Sequence, residues 1–146
     1  KNKKTIFFAG NGGSAADCEH LAGEFVGRYK KNRRPYKAIS LTTDTSVITC
    51  IANDFGYEKI FERQLQGLGQ KGDLLIAFST SGNSKNIVNV LKMAKNLKIK
   101  SISLLGNKGG LCKNISNYSY IVPSNSTANI QEVHHLIGHM FCSLVD

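Results

Sequence analysis

The chain has 146 residues, 41 % of them hydrophobic, and its 19 Lys and Arg outnumber its 10 Asp and Glu to give a net charge of +9. This length and apolar content predict one globular domain with a hydrophobic core. No apolar run is long enough for a transmembrane helix, and the opening KNKKTIFFAG has too short an apolar stretch for a signal peptide, so we expect a cytoplasmic protein without a membrane anchor.

The first half of the chain alternates between strand and helix patterns. KTIFFAG (4–10) predicts a strand, and SAADCEHLAGEFVGRY (14–29) predicts the helix that follows it. A basic loop then leads to a second strand, YKAISLT (36–42), and SVITCIAN (46–53) predicts a turn of helix. EKIFERQLQGLG (58–69) predicts a further helical segment. This order is typical of parallel strands joined by crossover helices.

The second half continues the same alternation. DLLIAFS (73–79) is the most apolar strand, as expected at the centre of a sheet covered on both faces. SKNIVNVLKMAKNL (84–97) predicts an amphipathic helix, KSISLLG (100–106) and YSYIVP (118–123) predict two strands, and NIQEVHHLIGHMFCSLV (129–145) predicts the last helix. The chain therefore predicts a single α/β domain over residues 1–146, with a doubly wound, mainly parallel five-stranded sheet and helices on both faces.

Charge and cysteine usage narrow the range of partners. The positive residues cluster in KNKK, RYKKNRR and KMAKNLKIK, and because aromatic residues are not interleaved with them, solvated surface is favoured over a nucleic-acid interface. The same positive field would attract a small phosphorylated ligand. The four cysteines are far apart and form no CxxC pair, so we expect reduced and mostly buried thiols.

Two loops at predicted strand ends resemble one another in their chemistry. GNGGS (10–14) follows the first strand, and STSGNS (79–84) follows the central strand and leads into a helix. Backbone amides and hydroxyls at a helix start can cradle a phosphate, although Ser and Thr also serve there as simple caps. GNGGSA matches the dinucleotide pattern GxGxxA as well, but the nearest suitable acid, Asp44, lies 34 residues after Gly10 instead of about 20.

His20 and Glu24 stand four residues apart, so both project from one face of the first predicted helix. Gln131, His135 and His139 recur every four residues on the last predicted helix. Two such helices could together bind one divalent metal such as zinc, and spacing alone favours His135 with His139 as the closer pair. The alternative is that these residues are ordinary surface or core side chains.

Taken together, GNGGSAADCEHLAGEF, GRY, ANDFG, STSGNS and IQEVHHLIGH resemble the sugar isomerase (SIS) domain family, and within it the phosphoheptose isomerases. STSGNS marks only the wider family, which includes regulators without catalysis. The HxxxE pair, the IQE segment and a His eight residues after its Gln are the features that narrow the resemblance to the isomerases. The similarity runs from the first strand to the last helix.

The resemblance implies a site residue by residue. It implies one zinc per subunit, held by His20, Glu24, Gln131 and His139, with Glu24 and His139 also acting as the acid-base pair. It implies that a sugar phosphate is bound by Asn11, Gly12, Gly13, Ser14, Arg28, Asn53, Asp54, Ser79, Thr80, Ser81, Ser84 and Gln131. For the fourth metal ligand, spacing favours His135 and the resemblance favours Gln131.

The resemblance also implies an activity and an assembly. The activity is the aldose-ketose isomerisation of sedoheptulose 7-phosphate to D-glycero-D-manno-heptose 7-phosphate through an enediolate, in heptose biosynthesis for surface glycans such as lipopolysaccharide or capsule. The assembly is a homotetramer with active sites between subunits and a helical segment ahead of the first strand; since the chain opens on Lys1, we expect that segment to be missing from it. The alternatives are a non-catalytic SIS module that binds a sugar phosphate or a DNA-replication partner, and a nicotinamide enzyme.

Overall fold

A computed structural model describes residues 4–146, in which five strands form one sheet. They are Thr5–Ala9 (β1), Lys37–Ser40 (β2), Leu74–Ser79 (β3), Lys100–Gly106 (β4) and Tyr118–Val122 (β5). All neighbours are parallel, and the order across the sheet is β2-β1-β3-β4-β5. This confirms the predicted parallel α/β sheet with the most apolar strand at its centre.

Five α-helices connect and cover the strands. They are Gly13–Val26 (α1), Thr45–Phe55 (α2), Ile60–Leu68 (α3), Lys85–Asn96 (α4) and Thr127–Val145 (α5). The segment predicted as a helix turn is an 11-residue helix, because Asp44 caps its start by accepting a hydrogen bond from the Val47 amide at 3.0 Å. The single helical segment predicted before β3 divides into a 3-10 turn and α3.

The sheet separates two hydrophobic layers. Phe7 and Leu75 point to the layer covered by α2, α3 and α4, whereas their chain neighbours Phe8 and Ile76 point to the layer covered by α1 and α5. This alternation follows from the two-residue period of a strand. Five of the six residues of β3 are buried, so β3 is covered on both faces, as the sequence predicts. The two layers fix α1 and α5 on the same face of the sheet.

The strand order reverses between β1 and β3, which are neighbours although β2 separates them in sequence. The chain leaves β1 for α1 on one face and leaves β3 for α4 on the other, so this fold is expected to form a crevice at their carboxyl ends. In doubly wound folds, and specifically in the order 2-1-3-4-5, ligands bind at this switch point. The topology therefore directs the search for a site to the starts of α1 and α4.

Three further expectations concern surface and environment. Within residues 4–146, no helix combines the length and apolarity needed to cross a bilayer. All four cysteines are free thiols; Cys18, Cys112 and Cys142 are buried and Cys50 is exposed. Of the basic KNKK cluster, residues 1–3 lie outside the described residues. In the RYKKNRR cluster, Arg33 is engaged in an ion pair with Asp146 at 2.7 Å.

Candidate active site

The glycine turn after β1 is tied directly to the start of α4. The side-chain amides of Asn11 and Asn86 exchange two hydrogen bonds, at 2.9 and 2.7 Å, and the Tyr57 hydroxyl donates to the side-chain Oδ1 of Asn11 at 3.1 Å. Gly12 has φ = 56°, a left-handed conformation that favours glycine, and it precedes α1 without offering a side-chain cap. The first turn of α1 therefore begins beside the start of α4, with the Ser14 and Ala15 amides bonded to the carbonyl oxygens of Asn11 and Gly12 at 3.0 and 2.9 Å.

The side-chain hydroxyl groups of the STSGNS loop do not cap the start of α4. Ser79 is buried, donates to the Ser84 hydroxyl at 3.3 Å and accepts from the Gly82 amide at 3.1 Å. Ser84 occupies the N-cap position of α4 but makes no side-chain cap bond. Thr80 is half-buried and Ser81 is exposed. The loop therefore has hydroxyl groups that capping does not consume.

The helices that start at this crevice, α1 and α4, differ in their N-terminal capping from α2 and α5. Asp44 caps α2 and Ser126 caps α5 through side-chain oxygens, whereas α1 and α4 have no side-chain cap. Uncapped helix starts carry unpaired amides and partial positive charge, which favours an anion. Since Asp44 is occupied as a cap, the dinucleotide interpretation lacks the acidic residue that it requires.

Helices α1 and α5 lie side by side and run in the same direction. Three contacts pair them in ascending order along both chains: Gly13 with Gln131, Asp17 with His135, and His20 with His139. Close approach is possible because Gly138 faces Leu21, where a Cβ would lie 2.6 Å from a Leu21 methyl group. Residues that are more than 110 positions apart in the chain thus meet along one seam.

Three imidazoles and a carboxylate meet near the middle of that seam. One ring nitrogen from each of His20, His135 and His139 lies within 4.8 Å of the others, and the Nε2 atoms of His20 and His139 are 2.9 Å apart. Glu24 Oε1 lies 3.6 Å from His20 Nε2. Imidazole nitrogen and carboxylate oxygen are ligands that zinc prefers, so the donor set fits a divalent ion.

The environment of His139 favours the neutral form of its ring by lowering its pKa. Burial lowers its pKa, as do the neighbouring His135 and His20, while Glu24 and Asp17 act in the opposite direction. The ring also stacks on Tyr29, with centroids 5.1 Å apart and an interplanar angle of 25°. A neutral imidazole has one lone pair and one N–H, so it can accept a metal or a proton and can also donate a hydrogen bond.

His134 has a different role from its neighbours. It is fully buried, contacts the Leu105 carbonyl oxygen through Nε2 at 3.0 Å, and packs edge-on against Phe78. Burial lowers its pKa. Because it is enclosed, His134 belongs to the core that anchors α5 on the sheet.

The remaining candidate residues lie apart from the imidazole cluster. Asn53 and Asp54 are exposed at the end of α2, where the Asn53 amide donates to the Asp54 carboxylate at 2.8 Å. Arg28 is exposed just beyond the end of α1. Ser14 is 3 % exposed and packs beneath the glycine turn. Among residues 4–146, the side chains at these positions form no hydrogen bond or ion pair with the three imidazoles.

The structure adds residues that pattern reasoning missed. Asn86 and Tyr57 hold Asn11, Tyr29 stacks on His139, and Asp17 contacts His135. One of them carried a signal, because Asp17 stands three residues before His20 and therefore shares its helix face. For the other three, the sequence contains no periodic relation to the partner.

Comparison with known proteins identifies the relatives of the chain. The model of the SIS domain matches residues 1–106. A phosphoheptose isomerase of Nitratiruptor sp. is 52 % identical over all of this chain and 78 % of its own length, and one of Akkermansia muciniphila is 51 % identical over 97 % of this chain and 75 % of its own. The solved phosphoheptose isomerase of Neisseria gonorrhoeae superposes with a TM-score of 0.94 at 40 % identity, over 99 % of this chain and 77 % of that one.

Proposed function

Since this chain belongs to the phosphoheptose isomerases of the SIS domain family, we propose that it interconverts sedoheptulose 7-phosphate and D-glycero-D-manno-heptose 7-phosphate. The observation that carries the proposal is the cluster of His20, His139 and Glu24 beside a crevice with two uncapped helix starts. A non-catalytic SIS module that only binds a sugar phosphate, or a replication partner, would need the crevice but not the cluster.

The phosphate end of the substrate fits the starts of α1 and α4. The amides at Gly12 and Gly13, the Asn11 side chain and the hydroxyls of Ser79 and Ser84 surround this region. His20 lies seven residues beyond Gly13, which is about 10 Å along the helix axis. An extended seven-carbon sugar phosphate has a comparable length, so its carbonyl end can reach the imidazole cluster.

At the carbonyl end, Glu24 and His139 are proposed as the proton carriers. Glu24 removes a proton from C1 of the ketose, and His139 donates a proton from its ring N–H to the oxygen on C2, giving the enediol. Returning a proton to C2 and removing one from the oxygen on C1 then completes the aldose. His20 lies between the two groups, 3.6 Å from Glu24 and 2.9 Å from His139.

A divalent metal ion is part of the proposal. It would be held by His20, Glu24 and His139, and the resemblance adds Gln131 as the fourth ligand. Zinc at this position would supply Lewis-acid polarisation of the ketone oxygen. With the ion bound, Glu24 and His139 would exchange protons through the carboxylate oxygen and the ring nitrogen that do not hold it.

The direct test is an isomerisation assay with and without metal. We expect the purified protein to convert sedoheptulose 7-phosphate to an aldoheptose phosphate, and we expect dialysis against a chelator to abolish the reaction until zinc is restored. Product formation is followed by NMR of the anomeric proton. A protein that binds the substrate, retains zinc and forms no product would contradict the proposed activity and would favour the non-catalytic alternative.

Replacing the loop hydroxyls tests the phosphate end separately. We expect Ser79→Ala combined with Ser84→Ala to raise KM with little change in kcat, because contacts far from the reacting carbons stabilise ground and transition state alike. Inorganic phosphate should become a weaker competitive inhibitor in the same variant. Ser143→Ala, an exposed serine near the end of α5, is the matched control. A lower kcat with unchanged KM would contradict this role of the loop.

We also propose the assembly of the enzyme, its cellular location and the use of its product. An assembly into a homotetramer is supported by apolar side chains that α5 leaves exposed, among them Leu136 (60 %), Met140 (57 %) and Leu144 (82 %). Action in the cytoplasm is supported by the four free thiols, which are typical of a reducing compartment. The heptose product would serve the synthesis of surface glycans.

A further inference from the structure

Asn86, the second residue of α4, is a buried polar residue to which the proposed reaction gives no role. Its side chain is in a residue only 2 % exposed, and within residues 4–146 both of its hydrogen bonds go to Asn11. Burying an amide costs free energy unless it is hydrogen-bonded, and asparagine is a poor helix former. Neither burial nor helix propensity therefore explains Asn86 at this place, whereas its contact with Asn11 does.

The contact fixes which atoms Asn11 can offer to a ligand. Asn11 Oδ1 accepts from Asn86 Nδ2 at 2.7 Å and from the Tyr57 hydroxyl at 3.1 Å, which uses both lone pairs of this oxygen. Asn11 Nδ2 donates one of its two N–H groups to Asn86 Oδ1 at 2.9 Å. The side chain of Asn11 is left with one free N–H, while the oxygen that would repel an anion is occupied by two donors.

The same pair joins the two loops at the crevice. Asn11 belongs to the glycine turn after β1, and Asn86 follows the STSGNS loop, 75 positions later in the chain. The ladder between β1 and β3 ends at the pairing of Ala9 with Ala77, before either loop begins. Within residues 4–146, no other side-chain hydrogen bond connects residues 10–14 with residues 79–86. The spacing of the two loops thus depends on this amide pair.

We propose that Asn86 is a positioning residue of the phosphate site. Through Asn11 it sets the spacing between the glycine turn and the STSGNS loop, and it leaves Asn11 with only a donor to offer a phosphate oxygen. Because Asn86 is buried, it acts through Asn11 and not by contact with the ligand. The inference rests on the proposed function, in which these two loops bind the phosphate end of the sugar, and adds a residue to it.

A double-variant cycle separates this role from a general loss of packing. Binding of inorganic phosphate is followed by phosphorus NMR titration, and KM and kcat for sedoheptulose 7-phosphate by the isomerase assay. We expect Asn86→Ala to weaken phosphate binding and to raise KM by about 10-fold with little change in kcat, because one oriented hydrogen bond to a charged group is lost. In an Asn11→Ala background, Asn86→Ala should cause no further loss, since nothing is left for it to orient.

Two further variants complete the experiment. Tyr57→Phe removes only a hydroxyl from a side chain that is 57 % exposed, so it should weaken phosphate binding by a smaller factor, about 2- to 5-fold, and again only when Asn11 is present. Asn96→Ala makes the same change as Asn86→Ala at an exposed position at the far end of α4 and should leave phosphate binding unchanged.

Each outcome supports or overturns the assignment. Losses that add in the double variant would overturn it, as would normal phosphate binding in Asn86→Ala or an unaltered protein that binds no phosphate. Thermal unfolding checks that each variant is folded; if Asn86→Ala is not, Asn86→Leu, which fills the same space without a polar group, takes its place in the cycle. Coupled losses of phosphate binding in a protein without isomerase activity would refute the proposed function and leave this inference intact.

Discussion

Replacement of Glu24 by Gln is expected to lower kcat for sedoheptulose 7-phosphate by about 100- to 10,000-fold, the usual contribution of a positioned acid or base. The amide keeps the size and polarity of the side chain but cannot accept the C1 proton. Glu24 is half-buried on α1 and 3.6 Å from His20 Nε2, so the replacement leaves the core untouched. KM should change less than kcat, because the lost interaction belongs to the transition state.

The measurement must separate proton transfer from metal loss. Zinc content is determined for each preparation, and exchange of substrate hydrogen with deuterated water reports proton removal directly. Glu19→Gln makes the same chemical change at an exposed position on the same helix and should leave both readouts unchanged. A zinc-loaded Glu24→Gln variant that turns over at the normal rate would falsify the assignment of the base.

Replacement of His139 by Gln should produce a loss of turnover in the same range, about 100- to 10,000-fold. The reason is geometric as well as chemical: His139 contacts His20 at 2.9 Å and stacks on Tyr29, so the orientation of its ring is fixed. A glutamine amide cannot carry the proton between the substrate oxygens. We expect weaker zinc binding in addition, measured by competition with a chromophoric chelator.

The double variant shows whether Glu24 and His139 act as a unit. Groups that serve one proton-transfer cycle are strongly non-additive, so combining Glu24→Gln with His139→Gln should cost little more than the worse single change. Full additivity of the two losses would indicate that the residues act in independent steps. In that case His139 would be assigned to metal binding alone.

Local patterns predicted most of the fold because they are set by local physics. The five strands and the helices that join them follow from apolar periodicity, and β3 is central because a strand covered on both faces must be apolar throughout. The length of α2 was underestimated, since its start depends on the cap that Asp44 provides. A cap is a single residue and leaves no periodic signal.

The site was predictable only in part, because residue spacing reports contacts within one helix and not contacts between helices. Spacing identified His20 with Glu24 on one helix and His135 with His139 on another, because four residues make one helical turn. No spacing relates α1 to α5, and the contacts of Asn86 with Asn11 and of Tyr29 with His139 are equally non-local. Residues that meet only through packing carry no shared period in the sequence.

The sequence by itself determined the alternation of strands and helices, the two hydroxyl- and glycine-rich loops, and which residue types stand on each helix face. Tertiary structure alone decided the register between α1 and α5, which brings His135 beside His20 and leaves Gln131 at Gly13. That register depends on how two helices pack on one face of the sheet, where Gly138 admits Leu21. Helix packing is a sum of many contacts between distant segments, whereas periodicity is a property of one segment.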